Sequence, residues 1–172
     1  MPVNFVEKSA CFFGLKGSGK STNLDKVLSL FGKKALLFDT LHEAPDNAKY
    51  YFHRPSDRYD LNDLVTFLDP LRTTKGTVYD IVAVDEMNRF APPKPYPLHP
   101  VIADLNDQNR HYHISVIWVA RRPVQLNTDL VELSDYLFIY NLSGKNDIIY
   151  LNNISSGLGD AVRELKEFEY IF

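Results

Sequence analysis

Short, almost continuously apolar runs punctuate this chain, at residues 10–14 (ACFFG), 34–39 (KALLFD), 79–86 (YDIVAVDE), 114–120 (ISVIWVA) and 135–141 (DYLFIYN). A strand with one wet face alternates apolar and polar positions. An unbroken apolar run of this length is instead a strand covered on both faces, as in a parallel sheet. Between these runs the apolar residues return at three- and four-residue spacing. Leu24, Val27, Leu28 and Phe31 fall on one helical face, and Gly32 supplies a stop. Leu61, Leu64, Val65 and Leu68 repeat the pattern, and Val101, Ile102, Leu105 and Asn109 do so more weakly. Leu158, Val162, Leu165 and Phe168 form a last helical stripe, with Asp160 placed to cap it. Strands alternating with helices predict an α/β fold with a mainly parallel sheet flanked by helices. Residues 91–100 (APPKPYPLHP) hold five prolines and cannot be helix interior, so they read as a rigid, exposed loop. The aromatic run 49–55 (KYYFHRP) reads as an edge strand or a subunit contact.

Size and charge narrow the classes. A chain of 172 residues is expected to form one domain, 1–172, with a proper core. A net charge of −3 excludes a generally basic nucleic-acid binder but leaves room for a local basic surface. The one cysteine, Cys11, has no partner for an internal disulfide and sits in an apolar run, as a small buried side chain would. No apolar run approaches a membrane span and the N-terminus lacks a signal-peptide pattern, so the expected location is the cytoplasm.

The first apolar run leads directly into Gly14-Leu15-Lys16-Gly17-Ser18-Gly19-Lys20-Ser21, which fits G-x-x-x-x-G-K-[ST] at every fixed position. A strand precedes the loop and a helix pattern follows it. Glycines let successive N–H groups turn inward onto a phosphate, and the helix N-terminus adds a favourable dipole. The expected nucleotide contacts are Gly14, Lys16, Gly17, Ser18, Gly19, Lys20, Ser21 and Thr22. Within this set Lys20 reaches the β- and γ-phosphates, Ser21 binds Mg²⁺, Thr22 meets the α-phosphate and Lys16 is a solvated loop charge. The run IVAVDEMNRF ends a strand on Asp85 and Glu86. Asp85 is placed to hold the magnesium through its water shell, and Glu86 to polarise an attacking water. A small GTPase would carry D-x-x-G here, and SGKND (143–147) has Gly144 where a guanine-reading asparagine belongs, so that run reads as a turn. Nor is there an arginine-rich lid of the kind a nucleoside-monophosphate kinase needs.

The phosphate loop, VDEMNRFAP (84–92) and NRHYHISVIWVARRP (109–123) together resemble the FtsK–HerA superfamily of DNA-pumping ATPases. The resemblance covers most of residues 8–141. It implies a RecA-like, additional-strand P-loop NTPase core, with the Trp118 strand inserted between the loop strand and the Asp85 strand. Arg122 and Pro123 match the end of the family's T-Q-R-P, and Arg110 stands where the family has an arginine before that strand; it either reaches across a subunit interface to a neighbour's γ-phosphate or is a solvated helix-end cation. Arg121 replaces the family's phosphate-sensing glutamine, a departure that puts the sensor role in question. Because the chain has room for little beyond the core, it looks most like a minimal viral genome-packaging ATPase. That implies ATP and Mg²⁺ as cofactors, a homo-oligomeric ring (pentamer or hexamer), transient contact with double-stranded DNA, a capsid or membrane vertex protein as docking partner, and association with the virion. Two other classes stay open, a small-molecule kinase and an assembly- or secretion-associated nucleotide switch like the zonula-occludens-toxin proteins. Asp39 either lines the site or caps its strand. Arg89 and Lys94 are candidates for a DNA-facing surface, and His111 and His113 are read as packing or surface histidines.

Overall fold

The computed structural model describes residues 4–172. In chain order the elements are β1 (Ser9–Phe13), α1 (Lys20–Phe31), β2 (Ala35–Phe38), β3 (Tyr51–His53), α2 (Leu61–Leu68), β4 (Ile81–Val84), α3 (Pro100–Gln108), β5 (Ser115–Ala120), α4 (Thr128–Glu132), β6 (Tyr136–Tyr140), α5 (Lys145–Ile154), α6 (Leu158–Arg163) and β7 (Tyr170–Ile171). They form a seven-stranded sheet of order β3-β2-β4-β5-β1-β6-β7, parallel throughout except for the antiparallel edge strand β7. This is the P-loop NTPase α/β fold. The β5 strand lies between β1 and β4, as expected of an additional-strand core.

The unbroken apolar runs are explained by burial, since every residue of β1, β2, β4 and β5 is buried. Successive side chains point to opposite faces of a sheet. Cys11 and Phe13 therefore join the larger core with Leu64, Leu68, Ile102, Leu105, Leu130 and Leu151 from the helices on that side. Ala10 and Phe12 join the smaller core on the other face, where α1 contributes Leu24 and Leu28. Burial pushes the Cys11 thiol up to about 12, so it is an inert packing group. At the centre of the larger core the Trp118 ring is fully buried, and its Nε1–H donates to Oδ1 of buried Asn106 at 2.8 Å.

Local signals set the helix ends. Gly32 follows α1 at φ +56°, a conformation that suits glycine. Asp60 caps α2 by accepting from the Asn62 N–H, and Pro100 occupies the first turn of α3. The run 49–55 does give an edge strand, β3, and buried Tyr50 donates to Asp25 at 3.0 Å. Among the described residues no helix is long and apolar enough to cross a membrane.

The C-terminal stripe departs from expectation. Helix α6 ends at Arg163, its cap is Gly157, and Asp160 lies in its first turn, accepting from Asn152. Phe168 is outside the helix, exposed and at φ +68°. The cause is a long-range capture. Nδ2 of Asn141, at the end of β6, donates to the carbonyls of Arg163 (3.0 Å) and Leu165 (2.6 Å), which turns the chain back to add β7 beside β6. The 143–147 run is not a turn: Gly144 is the N-cap of α5, which begins at Lys145 with Asp147 buried in its first turn.

The Trp118–Asn106 bond gives a stability prediction. Asn106→Ala leaves the indole N–H without its partner in the core, an expected loss of about 1–3 kcal/mol. Urea unfolding followed by the fluorescence of Trp118, the only tryptophan, measures it directly. A loss below about 0.5 kcal/mol would mean that the N–H is satisfied elsewhere.

Candidate functional site

All parallel strands end at one edge of the sheet, and the segments leaving them build a cleft of about 600 Å³. Its floor is the glycine loop. Gly17 (φ +85°) and Gly19 (φ +97°) take left-handed backbone, which turns the chain from β1 into α1 within a few residues. Ser18 N–H donates to Leu15 O at 3.2 Å and closes the turn. Gly14 is required for space, because a side chain there would collide with Ser18 Oγ and Tyr140 Cβ. The hydroxyl of Ser18 is buried and has no protein partner. With the first N–H groups of α1 free at Lys20–Thr22, the loop is a nest of donors suited to an oxyanion.

The opposite wall comes from β4. Asp85 is half-buried beside Lys20, and Glu86 is almost fully buried. Glu86 takes left-handed backbone (φ +51°), uncommon for a residue with a side chain, and its N–H donates to Asp85 Oδ1 at 2.9 Å. Arg121, at the end of β5, donates from Nε to Glu86 Oε1 at 2.8 Å. This bond and the carboxylate charge raise the Arg121 pKa, so the guanidinium is firmly protonated. Burial pushes the Asp85 carboxyl up to about 6; the Lys20 charge and the Glu86 N–H oppose that shift, and the charges of Glu86 and Glu43 add to it.

The cleft thus gathers the loop residues Lys16–Thr22 with Asp85, Glu86 and Arg121. Arg110 is not among them. It pairs with Asp135 at 2.6 Å, and Asp135 also accepts from Lys8 Nζ (2.8 Å) and the Ser9 N–H (3.0 Å). That cluster marks the start of β1, roughly 15 Å from the loop at ~3.3 Å per strand residue. Asp39 turns out to organise a loop: buried, it accepts from the N–H groups of Glu43 (2.8 Å) and Ala44 (3.1 Å) and from Arg54 Nε (3.1 Å). Arg122 pairs with buried Asp147 at 2.7 Å, pinning the end of β5 to the start of α5. Arg89 stacks on the Tyr59 ring, Lys94 pairs with Asp129, and His113 contacts Glu7.

Several cleft residues were not anticipated from the sequence, among them Leu41, Glu43, Arg58, Glu167 and Phe168. Glu43, delivered by the Asp39 loop, accepts from Ser21 Oγ at 3.4 Å, and Arg58 and Phe168 stand on the rim. No local motif marks any of them; the Asp39 bonds deliver Glu43, and the Asn141 bonds turn the chain that carries Phe168. Among the described residues no group of three metal-ligating side chains converges. The donors present, one hydroxyl (Ser21) and one carboxylate (Asp85) beside a phosphate cradle, suit Mg²⁺, which keeps several waters and shares substrate phosphates.

No protein-family model and no curated protein sequence matches the chain. Solved structures do. The genome packaging NTPase B204 of Sulfolobus turreted icosahedral virus 2, in complex with ATP-gammaS, superposes with a TM-score of 0.77 at 16% identity, covering 95% of this chain and 90% of that one. B204 of Sulfolobus turreted icosahedral virus, described as a DNA-packaging ATPase, gives 0.77 at 15% identity over the same shares. The N-terminal domain of zonular occludens toxin from Neisseria meningitidis gives 0.53 at 15% identity, over 82% and 79% of the two chains. At such identities the likeness is one of fold.

The elevated Asp85 pKa has a stability consequence. An unfolded Asp85 releases its proton near 3.8 and the folded one near 6. Between those values the folded state holds more protons, so its stability falls as pH rises, and the full deficit persists above about pH 6. Asp85→Asn, a neutral isostere, is therefore expected to stabilise the ligand-free protein by about 2–3 kcal/mol at pH 7 and by almost nothing at pH 4. Urea unfolding across that range is the check. A wild type more stable than the variant at pH 7 would contradict it.

Proposed function

We propose that this chain binds ATP with Mg²⁺, hydrolyses it, and couples turnover to movement of double-stranded DNA as a homo-oligomeric ring that packages a viral genome. The observation carrying the reading is the Gly14–Ser21 loop facing Asp85 and Glu86 across the ends of β1 and β4, with Arg121 between them on β5. A donor cradle alone would bind a phosphate. A buried carboxylate beside it adds a general base, and hydrolysis needs both.

Each residue has a role in this reading. The N–H groups of the loop and Lys20 Nζ hold the phosphates. Ser21 and, through water, Asp85 would hold Mg²⁺, which supplies charge neutralisation at the β- and γ-phosphates. Glu86 takes the proton of the attacking water, provided Arg121 releases it. The γ-phosphate is the natural competitor for that guanidinium, since arginine pairs well with phosphate oxygens. Arg121 thereby exchanges one anion for another, leaving Glu86 free to act as base. Arg110 stands too far from its own loop to serve it, so its catalytic role is in trans, on a neighbouring subunit's phosphates. A ring of five or six copies multiplies a few loop cations per subunit, which lets an acidic chain grip DNA. The likeness in fold to B204, a genome packaging NTPase, supports the packaging role. The motor would then work in the host cytoplasm, docked on a capsid or membrane vertex protein. The likeness to the zonular occludens toxin domain supports a second reading, an assembly-associated nucleotide switch. ATP turnover stimulated by duplex DNA favours the motor; turnover indifferent to DNA favours the switch.

Glu86→Gln keeps size and hydrogen bonding but removes the base. It is expected to bind ATP within a few-fold of wild type and to hydrolyse it about 10²–10⁴-fold more slowly. Wild-type turnover in that variant would mean that the water is activated elsewhere. A subunit-mixing assay addresses the ring. Lys20→Ala and Arg110→Ala subunits should each be nearly inactive alone, and active when mixed, because one complete site forms where an intact loop meets an intact arginine. Mixed rings that assemble yet stay inactive would remove Arg110 from the neighbour's site.

A further inference from the structure

Resting on the nucleotide-binding reading above, we propose that Phe168 is the platform on which the nucleotide's base stacks. The sheet order gives the cleft a direction. Glu86 follows β4 and Arg121 follows β5, on one side of the loop strand β1; β6 and β7 lie on the other. A triphosphate seated in the loop with its terminal phosphate toward Glu86 and Arg121 points its nucleoside end toward β6 and β7. There the rim of the cleft is Glu167 and Phe168. A second hollow of about 400 Å³ continues past them, lined by Asn141, Leu165 and Lys166.

The ring of Phe168 is held there at a backbone cost. Phenylalanine at φ +68° is an outlier for a bulky side chain, and such conformations persist only where the surroundings enforce them. Here they do so from both sides. Upstream, Asn141 captures the Arg163 and Leu165 carbonyls. Downstream, Glu169 accepts from the Lys166 N–H at 2.8 Å, and the Tyr170 and Phe172 rings pack on Tyr140 and Phe138. One edge of the Phe168 ring rests on Gly19, where a Cβ would come within 2.8 Å of Cδ1. Yet Phe168 remains 63% exposed. Core packing does not explain a fixed aromatic with an open face at the nucleoside end of a phosphate cleft. Stacking on a base does, because every base presents a π-face.

Inorganic tripolyphosphate, which has phosphates but no base, separates this role from support of the loop. With Mg²⁺ present, Phe168→Ala is expected to weaken ATP binding about 10- to 100-fold while tripolyphosphate binding stays within about two-fold of wild type. Phe168→Trp should keep ATP affinity, and its new indole should be quenched by ATP and not by tripolyphosphate, against the constant signal of buried Trp118. Equal weakening of both ligands by Phe168→Ala would make the residue a prop for Gly19 and overturn the proposal, as would unchanged ATP affinity or an unquenched Trp. Wild-type protein that binds neither ligand would instead overturn the nucleotide reading beneath it.

Discussion

Between β1 and α1 the backbone passes twice through left-handed geometry, at Gly17 and Gly19, and the layout of the cleft follows from that turn. The turn ends a central strand and starts a helix almost at once, leaving donors aimed at one point above the sheet. Parallel pairing then determines what surrounds that point. With β5 and β6 flanking β1, and β4 beyond β5, the ends of those strands carry Arg121, Asn141 and the Asp85–Glu86 pair to the same edge. Two further left-handed residues, Glu86 and Phe168, stand at opposite ends of the cleft.

Charge in the cleft is balanced without a ligand. Arg121 holds Glu86, Ser21 leans on Glu43, and Asp85 tolerates its burial by an elevated proton affinity tempered by Lys20. Each of these pairings is one that a triphosphate would replace, since phosphate oxygens attract the guanidinium, the ammonium and the hydroxyl. In the proposed cycle, arrival of the nucleotide and readiness of the base become one event, because the residue that restrains Glu86 is the one the γ-phosphate draws away.

Much of this was legible in the sequence, for a physical reason. Buried parallel strands must be apolar throughout, and a phosphate loop must carry glycines at fixed spacing, so both leave local signatures. The insertion of β5 beside β1 was legible through family resemblance. The remainder depends on bonds between residues distant in sequence. Periodicity carried the last helix on to Phe168, whereas it ends at Arg163, where Asn141 reaches back from β6 to the Arg163 and Leu165 carbonyls. Asp39 lay open between two roles, and only the folded loop shows it holding two N–H groups so that Glu43 reaches Ser21. Arg122 fitted a family motif while its work is structural, an ion pair with buried Asp147. Arg110 reads in the sequence as a catalytic arginine, whereas the fold pairs it with Asp135 at the far end of β1 from its own loop.

The central claim is that the loop and the β4 carboxylates form one triphosphate site. A crystal structure with Mg²⁺ and a non-hydrolysable ATP analogue tests it most directly. The account predicts phosphate oxygens at about 2.7–3.2 Å from the N–H groups of residues 17–21 and from Lys20 Nζ, with Arg121 turned from Glu86 onto the γ-phosphate. An analogue seated away from the loop, or phosphates in the loop with the Arg121–Glu86 bond intact, would contradict it.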